Sequence, residues 1–168
     1  MATSLNTNAI AFIGLCSEFC SAVETTTETE REFFIGNMLK LLPRIYISAT
    51  DLTTDFADGI DGYIESALSE EHYDIARSNI EALMGEEDVF LEVFEEDMKY
   101  SETPVAASVS ESLADIFQVL YNFLSAIRDT TDETAQEMLA TVREDFHSYW
   151  SAPLCNVLRA LNRIKMNE

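Results

Sequence analysis

Between Val109 and Ile164 apolar residues recur at steps of three and four, with one interruption. Val109, Leu113, Ile116, Phe117, Leu120, Leu124 and Ile127 form one stripe. Leu139, Val142, Phe146, Tyr149, Trp150, Leu154, Val157, Leu161 and Ile164 form the next. A helical period sustained this long calls for two amphipathic helices folded back on each other, with both stripes facing a shared core. Glu111, Asp115, Gln118 and Asn122 line the far side of the first helix. Thr103 before Pro104 reads as its N-cap and first residue. Thr130 with Glu133 reads as a capping box opening the second, which should run from about Thr131 to Met166. Pro153 lacks an N–H and should bend that helix just after Trp150.

Upstream the same period recurs. Leu5, Ala9, Phe12, Ile13, Cys16, Phe19, Cys20 and Val23 predict a helix over 5–24, with both cysteines as core residues. Thr27 and Glu30 suit a capping box for a second helix over 28–49, apolar on nearly every side and so deeply buried. Pro43 inside it predicts a kink or break near Leu39–Leu42. A short helix is expected over 63–68. A third main helix is capped by Ser69 and stopped by Gly85, with Tyr73, Ala76, Ile80 and Leu83 as its stripe. Val89, Phe90, Val93, Phe94 and Met98 among acids predict an amphipathic helix over 86–99. With 168 residues, 47% of them apolar, the chain can bury one good core. Only 5 Gly and 3 Pro favour long helices over many short strands. The expectation is an all-α single domain over 1–168, a bundle of five to seven helices with a long C-terminal antiparallel helical hairpin packed on the first two.

Charge narrows the partners. Ten Lys and Arg stand against 31 Asp and Glu, a net −21. Such a chain repels nucleic-acid phosphates and anionic lipid, so neither direct nucleic-acid binding nor membrane association is expected. The distribution is uneven. Residues 51–102 carry 17 acids against Arg77 and Lys99, whereas after Phe146 come Arg159, Arg163 and Lys165 against Glu168 alone. Cys16, Cys20 and Cys155 make neither a disulfide framework nor a zinc pattern. The apolar run from Ala9 to Cys16 is too short to span a membrane and follows no positive charge, so it does not read as a signal peptide. These features point to the cytoplasm.

Catalytic signatures fail one by one. The aspartates of 50–62 do not fit an EF-hand in the register of either Gly59 or Gly62, and read as a solvated acidic loop. Glu144 and His147 match half of a di-iron helix motif, but the helical projection puts Glu144 toward solvent and His147 in a partly buried structural position. Cys155 and His147 are about 12 Å apart by helical rise, too far for a nucleophile–base bond. No Gly-rich phosphate loop or nucleophile elbow is present. No metal or cofactor is indicated. What remains is the bend at His147–Pro153. Trp150 there serves as a core plug, or walls a pocket with His147, Tyr149 and Asp115. Beyond the bend Ser148, Asn156, Arg159 and Arg163 form a polar, basic stripe, either a solvated face or a docking surface for an acidic partner or another copy.

The segments ESLADIFQVLYNFL and FHSYWSAPLCNVLRALNRI resemble the uncharacterised bacterial family called domain of unknown function 5063. Asp115, Trp150, Arg159 and Leu161 stand at the matching positions, and Asn162 stands where a histidine is expected. The resemblance implies an all-helical fold and carries no assigned activity. The leading functional expectation is a non-enzymatic interaction module, open to a protein partner or to self-association. One alternative is a ligand-binding or catalytic pocket near His147 and Trp150. Another is an acidic mimic of nucleic acid that occupies a basic protein.

Overall fold

The computed structural model describes residues 5–53, 63–91 and 106–167. Helix α1 is Thr7–Glu24, capped by the Asn6 side chain, which accepts from the Ala9 N–H at 2.8 Å. Helix α2 is Arg31–Thr50 and continues through Pro43, so of the expected kink or break no break occurs. Its expected capping box does not form. Thr26–Glu28 is a 3₁₀ turn and Glu30 takes the cap position without a side-chain bond. Helix α3 is Glu70–Met84, capped by Ser69 and ended by Gly85 at φ 63°, a positive φ that glycine takes without strain.

Two other expectations fail for identifiable reasons. Residues 63–68 are not helical, because Asn122 Oδ1 accepts the backbone N–H of both Ala67 and Leu68 at 2.9 Å. The expected helix over 86–99 does not start. A 3₁₀ turn, Gly85–Asp88, leads into strand β1, Val89–Leu91, and the remainder of that call lies outside the described residues. Strand β1 pairs antiparallel with β2, Ala106–Ser108, in the register Val89↔Ser108, Phe90↔Ala107, Leu91↔Ala106.

Helix α4, Val109–Ile127, therefore begins later than expected, with Ser108 as its N-cap; Thr103 and Pro104 lie outside the described residues. Asp88 holds strand and helix together. Its buried carboxylate accepts the Ser110 N–H at 2.8 Å and the Ser110 hydroxyl at 2.7 Å, at the positive end of α4. Helix α5 is Asp132–Asp145, capped by Thr131 rather than Thr130. A five-residue π turn, Phe146–Trp150, joins it to α6, Ser151–Met166.

The architecture is all-α with a minimal two-stranded sheet. The pairs α1–α2, α2–α6, α6–α4 and α4–α1 all pack, forming a four-helix square, with α3 laid against α4. The α4–α6 hairpin thus packs on α1 and α2, as the stripes require. Phe12, Phe19, Phe34, Phe117, Phe123 and Trp150 fill the core. Cys16 and Cys20 are buried on it. Burial pushes both thiols up, with Cys20 at about 12. Among the described residues no helix is long and apolar enough to cross a membrane.

Candidate functional site

Pro153 cannot donate to the Tyr149 carbonyl, and its ring crowds that oxygen. The chain absorbs this with one extra residue per turn. The Ser151 N–H reaches back five residues to the Phe146 carbonyl. The Phe146 N–H is shared between the Arg143 and Val142 carbonyls. The Trp150 indole N–H also donates to Val142 O, at 3.2 Å. Trp150 is completely buried, edge-on to Phe146 with centroids 4.5 Å apart. The six sequence-selected residues thus part company. Trp150 belongs to the core. His147, expected to be partly buried, is exposed.

Asp115 meets Tyr73 from α3, and its charge also acts on Tyr149. The Tyr73 hydroxyl donates to Asp115 Oδ1 at 2.6 Å. Burial, then the Asp115 bond and charge, then Glu111 and Tyr149, push the Tyr73 phenol well above its ordinary range. Burial and Asp115 raise Tyr149 as well. The result is a polar seam joining α3, α4 and the π turn. Both phenols stay protonated at neutral pH. A raised folded-state value means that the seam's stabilising effect is complete below the unfolded tyrosine value of about 10. It is lost as pH rises through the higher folded value. In an absorbance titration, Tyr73→Phe should remove a late-ionising phenol, and Asp115→Asn should bring that ionisation down in pH.

Arg159 and Arg163 lie elsewhere, one helical turn apart on α6 and both exposed. They face β1 across a cleft of about 350 Å³, which Glu86, Glu87, Val89, Phe90 and Leu91 also line. Val89 and Leu91 are 65% and 56% exposed, while Phe90 turns toward the core. Glu87 is held by Arg31 in an ion pair, and among the described residues neither Arg159 nor Arg163 is in one.

Helix α2, packed beside α6, carries further cations and exposed apolar residues. Tyr46 meets Phe146 with centroids 5.2 Å apart, and Arg31 at the other end pairs with Glu87 beside the cleft. Helices α2 and α6 therefore pack antiparallel. The outer side of α2 carries Phe33, Lys40, Arg44 and Ile47 in a stripe, with Phe33 70% and Ile47 60% exposed. Arg31, Lys40, Arg44, Arg159, Arg163 and Lys165 thus lie on these two helices, six of the chain's ten cations, against the single acid Glu32.

The family model for Domain of unknown function (DUF5063) matches residues 3–167. The chain belongs to the DUF5063 family. Among solved structures, this DUF5063 chain is similar to protein BF1032 from Bacteroides fragilis at 31% identity and a TM-score of 0.81, over 95% of this chain and 93% of that one. None of the curated proteins matches it. The DUF5063 assignment brings no activity with it. Among the described residues no group of three or more His, Cys, Asp and Glu is placed to hold a metal ion.

Sequence reasoning found Arg159 and Arg163 but not the α2 stripe or β1. The stripe's signal was present, since positions 33, 40, 44 and 47 share a helical face. It was hidden by flanking apolar residues that made α2 look buried all round.

Proposed function

We propose that this DUF5063 chain is a non-enzymatic, cytoplasmic interaction module whose α2–α6 flank docks an acidic segment of a protein partner. The observation that carries the reading is the gathering of cations and exposed apolar residues on two adjacent helices of a chain with net charge −21. Aromatic and arginine side chains on one exposed face are the usual anchors of a protein interface. At physiological salt screening acts over about 8 Å, so a short acidic segment senses this flank more than the distant acids. A nucleic acid or lipid surface extends beyond that length and meets the overall negative charge. The three cysteines are unpaired, which agrees with a reducing compartment.

The pocket reading has less support. Trp150 has no exposed surface to offer a ligand, and its N–H is already engaged within its own helix. The mimic reading depends on acids of 51–102, many of which lie outside the described residues.

Affinity purification from the cell of origin, compared with a Lys40→Glu, Arg44→Glu, Arg159→Glu variant, tests the proposal. The variant should lose a specific partner about tenfold or more, as buried interfacial charge contacts do. An unchanged co-purifying set overturns the proposal. Light scattering at rising concentration separates a foreign partner from a second copy of this chain.

A further inference from the structure

Resting on that reading, we infer that the cleft between β1 and α6 receives its partner as an added β-strand, with acidic residues at alternate positions. Three observations converge. First, among the described residues β1 is paired along one edge only, to β2, and a strand edge left open presents backbone donors and acceptors to an extended chain. Second, the cleft of about 350 Å³ is lined by all three residues of β1 and by Arg159 and Arg163 of α6. Third, the spacings agree. Residues four apart on a helix are separated by about 6 Å along its axis. Alternate residues on a strand are separated by about 6.7 Å. Two carboxylates on one side of an added strand therefore meet the two guanidiniums in register, each as a charge-assisted pair.

The pleat fixes the remaining positions. In β1, Phe90 turns inward and Val89 and Leu91 turn outward. A strand laid beside it sends its acids inward toward α6 and its intervening residue outward, next to Val89 and Leu91, where an apolar side chain covers exposed surface. Glu86, exposed at one end of the cleft, opposes a third acid there. The recognised element is thus acidic–apolar–acidic in extended form.

The probe is a fluorescein-labelled hexapeptide, Gly-Glu-Val-Glu-Val-Gly, capped at its C-terminus, titrated into the full chain with anisotropy as readout. Three comparisons accompany it: the same composition with adjacent glutamates, the alternating peptide N-methylated at every second residue, and Arg159→Glu, Arg163→Glu protein. Both arginines are exposed, so the variant should fold, and its circular dichroism checks this. The alternating peptide should bind about tenfold tighter than the adjacent-glutamate one, a difference of one or two hydrogen-bonded charge pairs. N-methylation in one of the two phases and charge reversal should each abolish that advantage. Equal binding of the alternating and adjacent peptides, or binding indifferent to N-methylation, overturns strand addition even when charge reversal still removes the partner in cells. Failure of every peptide to bind also overturns it, whereas the broader interaction reading falls only if the partner recovered in cells is indifferent to the α2–α6 charges.

Discussion

Trp150→Ala should lower the unfolding free energy by about 4 kcal/mol, within the range for removing a fully buried aromatic residue. Two losses combine. The indole is completely buried where α6 leaves the π turn, packed edge-on against Phe146, which in turn meets Tyr46 of α2. Deleting it opens a cavity at the junction of three elements. The indole N–H also closes the turn onto Val142 O. Trp150→Phe separates the two. It keeps most of the packing, and Val142 O retains the Phe146 N–H, so the cost should be about 1–2 kcal/mol. Chemical denaturation of the three proteins checks the order. Equal cost for Phe and Ala would place the stabilisation in the hydrogen bond alone. Near-zero cost for Ala would contradict the buried position.

Asp88→Ala should cost about 3 kcal/mol, because two charge-assisted bonds and a favourable helix-end charge go together. The Ser110 N–H and hydroxyl are buried and lose their acceptor. Asp88→Asn should cost about half as much, since the amide oxygen still accepts one bond but carries no charge. The substitution should also be felt locally. Asp88 is the residue before β1, so hydrogen exchange across Val89–Leu91 should accelerate more than across α1. Uniform acceleration would mean that Asp88 contributes only to global stability and does not position the cleft wall.

Most of the helical layout was legible because a 3.6-residue period leaves no other way to bury its stripe. The α4–α6 hairpin, the Ser69 cap and the Gly85 stop all follow from local chemistry and stand as expected. What failed was decided at long range. Val89–Leu91 is a short apolar run that suits helix or strand equally, and the choice falls to Asp88 and Ser110, which are 22 residues apart. Residues 63–68 yield to Asn122, more than fifty positions away. At Pro153 the sequence demanded relief from a clash but could not choose between a bend and an extra residue in the turn. The site was legible by halves for the same reason. Arg159 and Arg163 share a helical face, which the sequence shows. Their placement opposite β1 and alongside the α2 stripe depends on tertiary packing.

Site-specific photo-crosslinking in the cell of origin tests the docking claim most directly. A photoreactive phenylalanine replaces Phe33 or Ile47 on the α2–α6 flank, and Ile75 on the acidic side of α3 serves as control; all three side chains are exposed. The account predicts a discrete protein adduct from positions 33 and 47, mapped by mass spectrometry to an acidic segment, and none from position 75. The same adducts from all three positions, or none from 33 and 47, would contradict it.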